Sequence, residues 1–100
     1  MIVKEHKSKS GIILSVCDDV LIGKKLREGE LVLDLSADFY SGKSLSKDEA
    51  EKKCRKAYII NAVGESSVDL LKSLGLVDKN KILIIEGVPF AQCLILENEV

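Results

Sequence analysis

Apolar and polar positions alternate along this chain in short blocks of two different periods. Ile2 to His6 and Ile12 to Cys17 are runs rich in β-branched residues. The polar turn Lys7-Ser8-Lys9-Ser10-Gly11 between them predicts an antiparallel hairpin. After Cys17, the positions Val20, Leu21 and Leu26 predict a short helix from Asp19 to about Lys25, capped by Asp18. Glu28-Gly29 predicts a turn. Leu31, Leu33 and Leu35 then alternate with Val32 and Asp34, which predicts a third strand over Glu30 to Leu35 with one face in the core. Ser36 to Ser44 reads as a loop carrying Phe39-Tyr40-Ser41-Gly42.

The second half carries the helical period. Ser46 followed by Glu49 is a capping-box pattern, and Ala50, Cys54 and Ala57 give the helix behind it a narrow apolar stripe. Ile59 to Val63 predicts a strand, followed by a turn at Gly64-Glu65-Ser66. A second helix is expected from Ser67 to Gly75, capped by Ser66, with Val68, Leu70, Leu71 and Leu74 buried. Lys81 to Ile85 is apolar on both faces, as a central strand is. Gly87-Val88-Pro89 predicts a loop, Ala91 to Leu96 the last strand, and Glu97-Asn98-Glu99-Val100 a frayed tail. The expectation is one α+β domain over residues 1–100: a mixed, mainly antiparallel sheet with two main helices on one face.

Composition narrows the function classes. The chain is 46% hydrophobic and 31% charged, a globular balance, and its formal net charge of −1 gives no global pull toward nucleic acid or anionic lipid. Any such binding needs a local patch. Arg27 and Arg55 are the only arginines, which weighs against sequence-specific base readout in DNA. Cys17, Cys54 and Cys93 include no Cys-x-x-Cys pair, and His6 is the single histidine. A structural zinc site and a Ser-His-Asp triad are therefore not expected. Free thiols in apolar runs and the lack of a signal-peptide pattern or a membrane-length apolar run predict a cytoplasmic protein that does not enter a membrane. No catalytic residue, metal or cofactor is assigned.

Two candidate sites emerge. If Ile59–Val63 and Ile82–Ile85 pair as parallel neighbours, their following loops share one sheet edge, where open α/β sheets bind ligands. Asn61, Gly64, Glu65, Ser66, Ser67, Gly87, Pro89 and Gln92 would then surround one crevice. The N–H groups at the start of the second helix suit an anion there, such as a phosphate-bearing metabolite, although Glu65 opposes one. The other candidate is basic. Lys52, Lys53, Arg55 and Lys56 crowd the end of the first helix and, with Lys43 and Tyr40, can track RNA phosphates and stack a base.

Other readings compete with these. Residues 57–62 can be read as helical, which makes Ala62 to Leu71 similar to a helix-hairpin-helix that grips nucleic-acid backbone. Asp18 and Asp19 with Asp34 or Asp38 can be read as a Mg²⁺ site, although helix capping explains the pair more simply. Cys17 has no histidine to activate it, and Asp18 raises its pKa, so packing is its expected role.

Several motifs occur together and in order: Cys17-Asp18-Asp19-x-Leu21-x-Gly23-Lys24, Phe39-Tyr40-x-Gly42, Asn61-Ala62-Val63-Gly64-Glu65-x-x-Val68, Gly75-Leu76-Val77 and Gly87-Val88-Pro89-Phe90-Ala91-Gln92. With them the chain resembles a small archaeal family of unknown function, domain-of-unknown-function family four-two-four. The motifs cover nearly the whole chain. Phe90 stands where the family often carries His. The resemblance implies an archaeal source and hints at a translation-linked role. The leading expectation is a non-enzymatic module that binds RNA or a ribonucleoprotein. The alternative is a binding protein or enzyme for a small anion.

Overall fold

The computed structural model describes residues 1–95. The expected end of the last strand at Leu96 and the fraying of the tail from Glu97 lie outside the described residues.

The chain opens with the hairpin of β1 (Ile2–Ser8) and β2 (Gly11–Cys17), which is joined through Lys9-Ser10, a tighter turn than the five polar residues suggest. After one 3₁₀ turn at Asp19–Leu21 comes a second hairpin, β3 (Lys25–Glu28) and β4 (Leu31–Asp34). The helix expected over residues 19–25 is thus a correction. Pairing of Leu26 with Leu33 across the Gly29 turn holds this stretch extended, and Leu26 reaches the core from a strand.

Another 3₁₀ turn at Asp38–Tyr40 leads to β5 (Lys43–Ser44) and then to α1 (Lys47–Cys54). Next come β6 (Ile59–Val63), α2 (Glu65–Ser73), a 3₁₀ turn at Lys79–Lys81, β7 (Leu83–Ile85) and β8 (Val88–Leu94). Because residues 59–63 are a strand, the helix-hairpin-helix reading is excluded.

Six strands form one sheet in the order β5-β1-β2-β6-β8-β7. Among the described residues only β2 and β6 run parallel; every other neighbour is antiparallel. The fold is α+β with a mixed, mainly antiparallel sheet. Two expectations within it fail: β7 is an edge strand rather than a central one, with Leu83 and Ile84 exposed, and β6 and β7 are not neighbours, because β8 returns between them. They still point the same way, so the loops after both lie at one end of the sheet.

The two sheet faces are covered unequally. Val3, Leu14, Val16, Ile60, Ala62, Ala91 and Cys93 meet Ala50 and Cys54 of α1 and Val68, Leu70 and Leu71 of α2 in the main core. On the other face, Cys17, Val63 and Ile85 meet Leu21, Leu26, Leu35 and Tyr40 in a smaller core under the β3–β4 hairpin. This second layer covers the Cys17–Val63 end of that face and, through Phe39, reaches Ser15 and His6. Toward the Ile13–Ile59 end, Leu94 and Gln92 are exposed.

Candidate functional site

The turn between β6 and α2 brings the two glycine loops together. Gly64 donates its N–H to the carbonyl of Pro89 at 2.9 Å, across the antiparallel β6–β8 pair. Gly64 has φ +104°, and a Cβ there would run into the carboxylate of Asp18. That carboxylate caps α2. Its Oδ2 accepts from the Ser66 N–H at 3.1 Å, while its Oδ1 accepts from the Ser67 N–H at 2.8 Å and the Ser67 hydroxyl at 2.7 Å.

The anion expected at this helix start is therefore the chain's own. Asp18 does not cap the turn that follows it: no side-chain bond forms there. Nor does Ser66 cap α2; the helix begins at Glu65 behind Gly64. The parallel β2–β6 pair explains the substitution, because it puts the residues after Cys17 and after Val63 side by side. An acid one residue past the first strand of such a pair is the signal that finds this cap.

Of the eight crevice residues, Glu65, Gly87 and Pro89 share a cavity of about 370 Å³ with Val68, Asp69, Lys72, Lys79, Ile82 and Ile84. Two carboxylates and two lysines line it, and Lys72 already pairs with Asp69 at 3.4 Å. Ser66 opens instead onto a separate hollow with Met1, Asp18, Asp19 and Val20. Ser67 is fully buried.

Asn61 and Gln92 lie on the opposite sheet face. They are cross-strand partners, and Gln92 Nε2 donates to Asn61 Oδ1 at 3.0 Å. Next to Asn61 on that face, the Ser15 hydroxyl donates to the Phe39 carbonyl at 2.8 Å. His6 Nε2 stands 3.0 Å from the same oxygen, which accepts only, so this nitrogen carries the proton. The Phe39 ring stacks on His6 at 4.3 Å and 7°, and meets Tyr40 edge-on at 5.0 Å. Tyr40 itself is 7% exposed in the smaller core, and burial raises its hydroxyl pKa, with Cys17 adding to the effect. Tyr40 is thus unavailable to stack on a base; the loop folds back as a lid and leaves its neighbour Phe39 half-buried at the surface.

The basic residues gather at the end of the sheet away from Gly64. The Tyr58 N–H donates to the Ile12 carbonyl at 2.7 Å, which seats the last turn of α1 against the β1–β2 hairpin. A Cβ on Gly11 would stand 2.8 Å from Tyr58 Cβ, so this approach needs glycine. Lys7, on the same face of β1 as Glu5, and Lys9 in the hairpin turn thus lie at the same end of the sheet as Lys52, Lys53, Arg55 and Lys56 on and just beyond α1. Lys53 pairs with Glu5 at 3.0 Å and Arg55 with Glu51 at 2.9 Å. Among the described residues, Lys7, Lys9, Lys52 and Lys56 form no ion pair. Lys52, Lys53 and Lys56 line a hollow of about 440 Å³ with Glu5, Leu45 and Glu49. Lys43 stands apart on β5, opposite Val3. Sequence reasoning missed Lys7 and Lys9 because only the three-dimensional pairing brings them to α1.

All three cysteines are free and buried. Burial, then Asp18 and Asp19, push the Cys17 thiol up to about 12; burial, then Cys93 and Glu51, push Cys54 to about 11. Neither is a ready nucleophile. Among the described residues no three His, Cys, Asp or Glu side chains converge to hold a metal ion, and no helix is long and apolar enough to cross a membrane.

A family model described as protein of unknown function (DUF424) matches residues 6–96. An uncharacterized conserved protein from Methanopyrus kandleri, an archaeon, has a crystal structure that superposes with a TM-score of 0.83 at 33% identity. The match covers 99% of this chain and 94% of that one. No curated protein matches the sequence.

Proposed function

The chain belongs to the DUF424 family of proteins of unknown function, and within it we propose that this protein is an RNA-binding module that grips phosphate with the basic end of its sheet. The reading rests on four lysines at one end of the sheet, Lys7 and Lys9 on the hairpin, Lys52 on α1 and Lys56 just beyond it. All four lack an acidic partner among the described residues. On a chain of net charge −1, such a cluster is a local field rather than a consequence of overall composition. Lysine suits this task, since it attracts phosphate as a mobile point charge without reading bases.

The small-anion crevice has less support. Asp18 already fills the donors of Ser66 and Ser67, and Lys72 in the cavity by Gly87 already pairs with Asp69.

The test is retention of a short RNA as a function of salt. Binding should weaken by about three orders of magnitude or more between roughly 50 and 200 mM salt if six phosphates are neutralised, and less for fewer. The pair Lys52→Glu and Lys56→Glu should cut affinity at least tenfold and flatten the salt slope by about one per lost contact. No retention at the lower salt, or retention indifferent to these two changes, overturns the reading.

A further inference from the structure

Resting on that reading, we propose that the uncovered part of the second sheet face receives an unpaired base of a single-stranded RNA. The base edge would meet the Asn61–Gln92 amide pair, and its flat face would lie on Ile59 and Leu94.

Asn61 carries the argument. It is only 8% exposed, on a central strand where an amide needs a reason. Its oxygen accepts from Gln92, but among the described residues its Nδ2 donates to nothing. No buried side-chain nitrogen or oxygen is left without a partner among those residues, so this NH₂ reaches the surface through the small opening that the residue retains. Gln92 Oε1 likewise has no partner among them. The two amides thus offer one donor and one acceptor side by side. Exchanging O and N in both groups leaves the same pair on offer. Every nucleobase carries a neighbouring donor and acceptor on its pairing edge, and in a duplex that edge is occupied.

The surroundings fit the same ligand. Ile13, Ile59 and Leu94 form the next row of this face, and Leu94 is 53% exposed. Phe39, held over Ser15 and stacked on His6, makes a wall beside the amides. The row of Ile59 and Leu94 ends beside Tyr58, where the Ile95 N–H donates to the Tyr58 carbonyl at 2.8 Å and Tyr58 meets the β1–β2 hairpin at Ile12. Lys7 shares the α1 face with Glu5, so a strand whose phosphates lie on these lysines turns over the end of the sheet to bring a base to the amide pair. Charge and continuity favour RNA over an extended peptide, which gains nothing from the lysines unless it is acidic.

The experiment compares a single-stranded RNA of about eight nucleotides with a duplex of the same length, using the intact chain. The single strand should bind about tenfold more tightly, and Gln92→Ala and Leu94→Ser should each remove most of that advantage. Neither change should alter duplex binding or the salt slope, and both positions are exposed enough to leave the fold intact. The amide signals of Asn61 and Gln92 in an NMR spectrum should shift with the single strand only. Equal binding of both RNAs, unaffected by either change, overturns the base site and leaves the phosphate grip standing. Loss of both RNAs' binding only in the lysine variants likewise overturns the base site. Failure of the intact chain to bind either RNA overturns both proposals. Displacement of the single strand by a neutral peptide assigns the face to peptide and also overturns the base site.

Discussion

Asp18 illustrates how one side chain settles the chemistry of a whole loop. Its carboxylate satisfies two backbone N–H groups and a buried hydroxyl, all belonging to a helix far along the chain. Charge-assisted caps of this kind are worth more than neutral ones. Asp18→Ala should cost about 2 kcal/mol in urea unfolding, because the Ser67 hydroxyl and N–H lose their acceptor. Gly64→Ala should be at least as costly, since it forces a left-handed backbone on alanine and drives a methyl into Asp18. Cys17 makes a prediction at alkaline pH. Its folded pKa is raised from 9.0 to about 12, so between those values the unfolded chain gives up a proton that the fold retains. Its contribution is intact below pH 9 and is lost as pH rises toward 12. Cys17→Ala should flatten the alkaline limb of a stability–pH curve, and iodoacetamide should label Cys17 no faster than global unfolding allows.

At the scale of elements, local signals and long-range pairing divide the structure between them. The capping box of α1 forms in full. The Ser46 hydroxyl accepts from the Glu49 N–H at 3.2 Å, and the Glu49 carboxylate accepts from the Ser46 N–H at 2.9 Å. Ser46→Ala should cost about 1 kcal/mol, visible as a lower urea midpoint. Hydrogen bonding of the Glu49 carboxylate to the Ser46 N–H, and then to the Ser46 side chain, holds its pKa below 4.5, so its contribution is present above that pH and fades as acid carries pH down through the folded value. The β1–β2 hairpin, α1, β6 and most of α2 and β8 were legible because each rests on its own residues: β-branched runs, caps and helical stripes. The stretch over residues 19–28 was not, because Val20, Leu21 and Leu26 suit a helix face as well as a hairpin. What decides is tertiary. Glu86 Oε2 accepts from the Arg27 N–H at 2.6 Å and Glu28 Oε1 from the Glu86 N–H at 2.8 Å, which ties β3 to the turn after β7. Glu86→Ala should therefore speed hydrogen exchange at Arg27 while leaving β1 and β2 protected. The Gly64 and Gly87 turns lie at one end of the sheet, but not through the parallel β6–β7 pairing from which the sequence led one to expect it. The insertion of β8 was not legible, for nothing in Ile82–Ile85 records which strand lies beside it.

For the whole molecule, the sheet acts as a divider. The amide pair and the Gly87 cavity lie on opposite faces, and the lysine cluster lies at the end remote from Gly64. The crevice set that looked like one site in the sequence is therefore two places, the Gly87 cavity and the amide pair, with the lysine cluster a third. Changes in the Gly87 cavity should leave the others untouched: Lys72→Ala there should not alter RNA retention, whereas Lys56→Glu should. The same arrangement orders events during folding. The carboxylate of Asp18 and its donors on α2 come together only once β2 and β6 have aligned, and residues 18–58 must be looped out for that to happen. In isolation, α2 has no side-chain cap of its own. Its first turn should thus be among the last parts to consolidate, so that in stopped-flow experiments Asp18→Ala hastens unfolding and leaves the refolding rate nearly unchanged.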